Sequence, residues 1–186
     1  MKVTAAVTRE LNADFTIEEL ELEDPRENEV LVKISAVGIC HTDIAAATGG
    51  IPAELPGVLG HEGSGIVERV GSGVTSLKPG DHVVMSFTSC GSCSPCDTGH
   101  ENYCQNFAQL NFLGMRIDGS KALKDENGVV SSHFMGQSSF SNYALGYENN
   151  VVKVRDDAPL ELLGPLGCGI QTGAGTFMRS MACEAG

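Results

Sequence analysis

The chemistry of this chain concentrates in its cysteines and histidines, most densely in CGSCSPCDTGHENYC, where Cys90, Cys93, Cys96 and Cys104 are separated by two, two and seven residues. Four thiolates on a short loop can close a tetrahedral shell around zinc at roughly 2.3 Å per bond. Gly91, Ser92, Ser94 and Pro95 permit the tight turns such wrapping needs, and Gly99 lets the chain return Cys104 to the metal. Two disulfides or a redox CxxC pair are the alternatives. Reducing surroundings and a fourth cysteine at short range argue against both. With all four positions filled by protein, no substrate could reach a metal held there, so its task would be structural.

Two further stretches carry mixed donors: GICHTD, residues 38 to 43, and GHEGSGIVERVGSGV, residues 60 to 74. Alone, Cys40 reads as a small buried hydrophobe and His61 as a satisfied core histidine. Their neighbours Asp43 and Glu62 are carboxylates, and a zinc-bound histidine needs an acceptor on its second ring nitrogen, for which Asp43 is a candidate. Thr42 adds a hydroxyl where it could accept a proton from a bound alcohol or water. Two ligands still leave such a shell short of a third. Cys168, in GPLGCGIQTGAG (residues 164 to 175), lies 64 residues beyond the nearest upstream cysteine and on its own reads as an inert core thiol. Cys183 reads as a partly buried helix residue, and His82, His100 and His133 as structural or solvated.

The elements that must position these groups are mainly strands. KVTAAVT, EVLVKISAVGI, GSGIVERV, DHVVMSF, SFSNYALG and NNVVKVR are short β-branched runs divided by Gly, Pro, Asn and Asp. KPGD, ENGVV and RIDGS are turn signals, and together the pattern predicts a mostly β, compact barrel. Helical pattern is sparse: a short piece after GICHTDIAAATGG and a longer helix from APLELLGPLGCGIQTGAGTFMRSMA, with Pro159 in its first turn. The 186 residues, 41% hydrophobic, suit one domain with a sizeable core. A formal charge of −12 repels phosphate backbones and anionic lipid, so nucleic acid and membranes are poor partners. The start lacks a signal-peptide core and nowhere do 18 apolar residues run together, which predicts a cytoplasmic protein.

GHE, two residues, Gly65, five residues, Gly71, two residues and Val74 resembles the zinc signature of the medium-chain alcohol dehydrogenases. GICHTD is similar to that family's first-ligand motif, the four-cysteine loop to its structural zinc lobe, and GPLGCG to its third-ligand segment. These motifs stand in the family's order over nearly the whole chain; CHTD, NFLGMRIDGS, HFMGQSSFSNYA and GPLGCGIQTGAG are most similar to the benzyl or aryl-alcohol dehydrogenases. The resemblance implies a GroES-like β-barrel and two zinc ions per chain, one in the loop and a catalytic one on Cys40, His61 and Cys168 with an open fourth position. Gly167 and Gly169 would leave room for the metal to approach. Thr42 would take the alcohol proton as hydride leaves for NAD. His41 would approach the cofactor pyrophosphate and join the proton relay, and Thr172 would touch the nicotinamide. Asp43 would orient His61, Glu62 would stand behind the metal, and Phe87 would line the substrate pocket.

The resemblance also divides the chain: residues 1–155 as the GroES-like catalytic domain with a zinc lobe at 89–105, and 156–186 as a helical segment leading to a nucleotide-binding domain. That domain's G-x-G-x-x-G is missing; GAGTFM (173 to 178) puts Met178 at the third glycine, and GSGVTSL (71 to 77) belongs to a turn. The expectation is a Rossmann-less catalytic half with negligible turnover alone, whose uncovered apolar surface invites self-association. The substrate would be a primary, aromatic alcohol, oxidised to its aldehyde. Formaldehyde conjugates, polyols or cinnamyl alcohols, or a non-catalytic zinc-binding GroES-like module, are the alternatives.

Overall fold

Alternation of apolar and polar residues builds most of the strands, and the computed structural model describes residues 1–181. Along them run β1 (Lys2–Thr8), β2 (Thr16–Leu22), β3 (Glu29–Val37), α1 (His41–Ala47), β4 (Gly57–Val58), β5 (Gly63–Val70), β6 (His82–Met85), α2 (Ser94–Asp97), α3 (Phe107–Asn111), β7 (Leu123–Asp125), β8 (Gly128–Val130), β9 (Tyr143–Tyr147), β10 (Val151–Lys153), α4 (Leu160–Leu163) and α5 (Gly169–Gly175). They form two five-stranded sheets, in the orders β4-β1-β2-β7-β8 and β10-β6-β5-β3-β9. Every strand pair within them is antiparallel. Cys183 lies outside the described residues.

Strand β3 divides the core. Its Leu31 packs with Val3, Val7, Leu20, Leu123 and Val130 of the first sheet. Val30 and Val32, pointing the other way, pack with Val67, Val83, Met85 and Val151. A strand buried on both faces leaves little room for polar alternation, which is why Val30, Leu31 and Val32 read as a continuous apolar run. Truncating a fully buried leucine such as Leu31 costs about 2–5 kcal/mol. A third cluster, Ala46, Ala47, Leu59 and Phe134, seats α1 against the barrel.

The expected long C-terminal helix is broken. It divides into α4, a 3-10 turn at Gly164–Gly167, α5, and a wide π-helical turn at Thr176–Ser180. Cys168 at the break has φ −141° and ψ −80°, outside the helical region. Pro165 removes a backbone donor there, and the barrel crowds the segment: a Cβ on Gly167 would stand 1.9 Å from the Met85 carbonyl oxygen, and one on Gly164 2.1 Å from that of Glu62. Pro159, with φ −74° and ψ 90°, precedes α4 and does not enter its first turn. Strands β2, β7 and β8 and helices α2 and α3 carry patterns too short or too polar to predict. No helix is long and apolar enough to cross a membrane, among the described residues.

One ion network clamps the chain between α3 and β7 to the start of β3. Arg116 donates from Nε to Glu29 Oε1 at 2.6 Å and from a terminal nitrogen to Oε2 at 3.0 Å, and it also reaches Glu23 at 2.9 Å. His133 Nε2 lies 3.5 Å from Glu29 Oε1, and burial keeps its imidazole below the ordinary value. Burial pushes the Glu29 carboxyl up, but His133, Arg116 and the Arg26 N–H outweigh it and hold the group down at about 2. A carboxyl lowered in the folded state stabilises the fold above its ordinary 4.5, and that contribution is lost as pH falls through about 2. Arg116→Met strands a buried carboxylate. It should lower stability at pH 7 by about 3–5 kcal/mol and flatten the acid limb of stability against pH, measured by urea unfolding from pH 7 to 2.

Candidate metal centre and active site

The four-cysteine loop folds around its own thiols. Pro95 sits at the second position of the single turn of α2, which brings Cys93 and Cys96 together with their Sγ atoms 3.4 Å apart. Cys90 N–H donates to Cys104 Sγ at 3.3 Å, and Gln105 N–H to Cys93 Sγ at 3.4 Å. All four donor atoms lie within 4.8 Å of one another. The Ser92 backbone and the Asn106 side chain hold the Cys90 thiol down at about 5, while burial lifts Cys104 to about 11. Sulfurs at these distances are unbonded to each other, against about 2.05 Å in a disulfide, and they suit the soft tetrahedral chemistry of zinc.

A second group forms where three segments of the chain meet. Donor atoms of Cys40, His61, Glu62 and Cys168 also lie within 4.8 Å of one another. Cys40 is the extended residue before α1, and Asp43 in the first turn reaches back to accept its N–H at 3.1 Å. The fully buried Asp43 carboxylate accepts from Gly60 N–H as well, at 3.0 Å, and stands 2.9 Å from His61 Nδ1. That contact fixes the imidazole so that Nε2 faces the thiols, and Nε2 is buried without a hydrogen-bond partner. An orphaned imidazole nitrogen beside two sulfurs fits a zinc ligand set.

The charges agree with this fit. Burial lowers the His61 value, but Asp43 and then Cys40 outweigh it, so the ring is shifted upward. Cys40 is shifted downward: burial opposes ionisation, while donation from Thr42 and the neighbouring His61 favour it. Cys168 is pushed up to about 12 by burial and by the negative charge of Cys40, Glu62 and Asp43. A pocket that resists its second thiolate and draws protons to its imidazole is arranged for a cation.

The other residues singled out in the sequence distribute around this group. Thr42 Oγ1 lies 3.6 Å from Cys40 Sγ. His41 is exposed at the first position of α1, and Thr172 is exposed one turn after Cys168, its N–H bonded to the Cys168 carbonyl at 2.9 Å. The Glu62 carboxylate lies within 4.8 Å of the donor atoms of Cys40, His61 and Cys168, with Oε1 accepting Gly169 N–H at 3.1 Å. Gly167 lets the chain touch β6, and a Cβ on Gly169 would meet Glu62 Oε1 at 3.3 Å. Phe87 stacks toward Phe107 at 5.8 Å, which in turn meets Phe112 at 5.7 Å. GAGTFM falls in α5 and the π turn, without the strand that a dinucleotide fingerprint requires. Sequence reasoning missed Gln137, a fully buried amide touching the His61 segment; a single glutamine carries no pattern.

Comparison with known proteins agrees with these features. Residues 26–156, more than half of the chain, match the family described as Alcohol dehydrogenase GroES-like domain. Geraniol dehydrogenase of Castellaniella defragrans is 51% identical over 183 residues, 98% of this chain and 49% of that protein. Among solved structures, an alcohol dehydrogenase zinc-binding domain protein from Burkholderia ambifaria superposes with a TM-score of 0.96 at 52% identity, covering 100% of this chain and 50% of its own. Benzyl alcohol dehydrogenase from Acinetobacter calcoaceticus does so at 0.92 and 50% identity, covering 97% and 48%. The chain spans about half the length of the curated relatives it matches. By its motifs, its two antiparallel sheets and these likenesses, the chain belongs to the zinc-dependent medium-chain alcohol dehydrogenase family and carries its GroES-like domain.

Proposed function

We propose that the chain holds two zinc ions, a structural one on Cys90, Cys93, Cys96 and Cys104 and a catalytic one on Cys40, His61 and Cys168, and serves NAD-linked oxidation of a primary alcohol to its aldehyde. The observation that carries the reading is the partnerless, buried Nε2 of His61 among the donors of Cys40, Glu62 and Cys168. Zinc would supply the Lewis acidity that lowers the pKa of an alcohol oxygen, and a nicotinamide the hydride acceptor.

The chain's own residues do the remaining work. Asp43 holds His61 in one tautomer by its contact at Nδ1. The Thr42 hydroxyl, beside Cys40, takes the alcohol proton, and exposed His41 passes it to solvent. Glu62 balances charge at the centre while its Oε1 anchors the start of α5. His41 and Thr172, both exposed and each close in the chain to a ligand, are assigned to the cofactor. The substrate is an activated primary alcohol, aromatic by preference. Geraniol and benzyl alcohol, the substrates that two relatives are named for, both carry their CH2OH on an unsaturated carbon, and the aromatic run Phe87, Phe107, Phe112 suits a flat π system.

Metal analysis of the purified chain should find about two zinc ions, one of them lost on Cys168→Ser while the zinc of the four-cysteine loop remains. A single zinc that survives Cys168→Ser defeats the catalytic assignment. A protein extended to the relatives' length should reduce NAD with benzyl alcohol, whereas the 186 residues alone should turn over negligibly, since positioning of the hydride acceptor is worth about 7–11 kcal/mol. Comparable rates for the two would refute that division, and no NAD reduction with benzyl alcohol or geraniol would refute the substrate class. Exposed Ile39, Leu162, Ile170 and Phe177 should drive homo-oligomerisation, visible as a concentration-dependent sedimentation coefficient.

A further inference from the structure

The segment after β8 folds under constraint and delivers one amide into the interior. Met135 and Ser138 both have φ 51°, on either side of Gly136 at 74° and Gln137 itself. Non-glycine residues in the left-handed region persist where their surroundings over-determine them, often beside functional sites. Phe134 at the front of the segment meets the His61 ring edge-on, 6.0 Å between centroids.

The conformation turns Gln137 inward, fully buried. Its Oε1 accepts Gly63 N–H at 3.0 Å, and its Nε2 donates to the His61 carbonyl at 2.9 Å. These are the two bonds that the N–H and C=O of one residue in a parallel neighbouring strand would make to the residues flanking Glu62. Nε2 also lies 3.2 Å from the Ser86 carbonyl, which Asn150 holds from a second side at 2.8 Å. Ser86 Oγ donates onward to the carbonyl of Gly167, the residue before Cys168, at 2.8 Å. One carboxamide thus joins the backbone of His61 and Gly63, on either side of Glu62, to the strand end on which the Cys168 segment hangs.

We propose that Gln137 is a positioning residue of the Cys40, His61 and Cys168 centre, setting the separation of the His61 and Cys168 segments through Ser86. The proposal rests on the zinc reading above. Gln137 touches neither metal nor substrate; it acts by fixing two backbones that carry ligands, as outer partners of metal ligands do.

Gln137→Met keeps length and volume and removes all three bonds; Gln137→Asn keeps the amide but withdraws it by one methylene. Zinc affinity by chelator competition, the visible spectrum of the cobalt(II)-substituted chain, and thermal midpoint are measured for each and for the unsubstituted chain. The difference spectrum against Cys168→Ser isolates the bands of the centre from those of the loop. Gln137→Met should weaken zinc at the centre about 10-fold or more and shift its cobalt bands, leaving the loop bands unchanged. If Gln137→Met fails to fold, Gln137→Asn is held to the same criterion. Unchanged affinity and unchanged cobalt bands, whatever the thermal midpoint, overturn the proposal. An unsubstituted chain with metal in the loop alone overturns the zinc reading first and the proposal with it, a result distinct from two bound zincs that ignore Gln137.

Discussion

The centre depends on a carboxylate that no water can reach. Asp43 is fully buried, and a charge so placed is costly unless the surroundings answer it. Three nitrogens do: the backbone of Cys40, the backbone of Gly60 and the ring of His61. Each belongs to a stretch that must be in register with the others, so the desolvation of one aspartate is answered only when α1 and the approach to β5 are docked. The same contacts that satisfy Asp43 therefore bring the Cys40 thiol and the His61 imidazole together. Ligand geometry here is a by-product of charge satisfaction.

Around that constraint the fold divides its labour. The sheets supply rigidity through β3, buried on both faces, while the donors sit at strand ends and turns, where backbone direction can be chosen residue by residue. Glycine permits the closest approaches, with Gly167 against Met85 bringing the third segment flush with the barrel. Polar side chains then finish what strands cannot: Asn111 brackets Thr88 with two hydrogen bonds just ahead of the four-cysteine loop, and Gln137 brackets Glu62. Both act as single-residue extensions of a β ladder.

What could be read from the sequence was whatever repeats or clusters. Cys90 to Cys104 declare themselves by spacing, and runs such as EVLVKISAV by β-branched density, because both signals are summed over several residues. β2 was illegible since TIEELEL exposes Ile17 and carries three glutamates on a strand that buries only part of one face. The C-terminal helix reads as continuous from its apolar pattern, although Pro165 is a local break signal; the crowding of Gly164 and Gly167 by Glu62 and Met85 adds a tertiary reason that no local pattern encodes. Glu62 is legible through its place beside His61, whereas Gln137 and Arg116 are invisible, being single residues whose meaning lies in partners distant in the chain.

Chain connectivity gives the two clusters opposite thermodynamic characters. The loop thiols lie within fifteen residues, whereas Cys40 and Cys168 stand more than a hundred apart. A cross-link over ~15 residues removes about 3 kcal/mol of entropy from the unfolded chain, and one over ~100 removes about 4.7. A small local metal knot can close early, before either sheet is complete; the other must wait for long-range pairing and then tie its far ends. The ion assigned to chemistry is by this measure also the longer staple, and the ion assigned to structure is the more dispensable one to the topology of the chain.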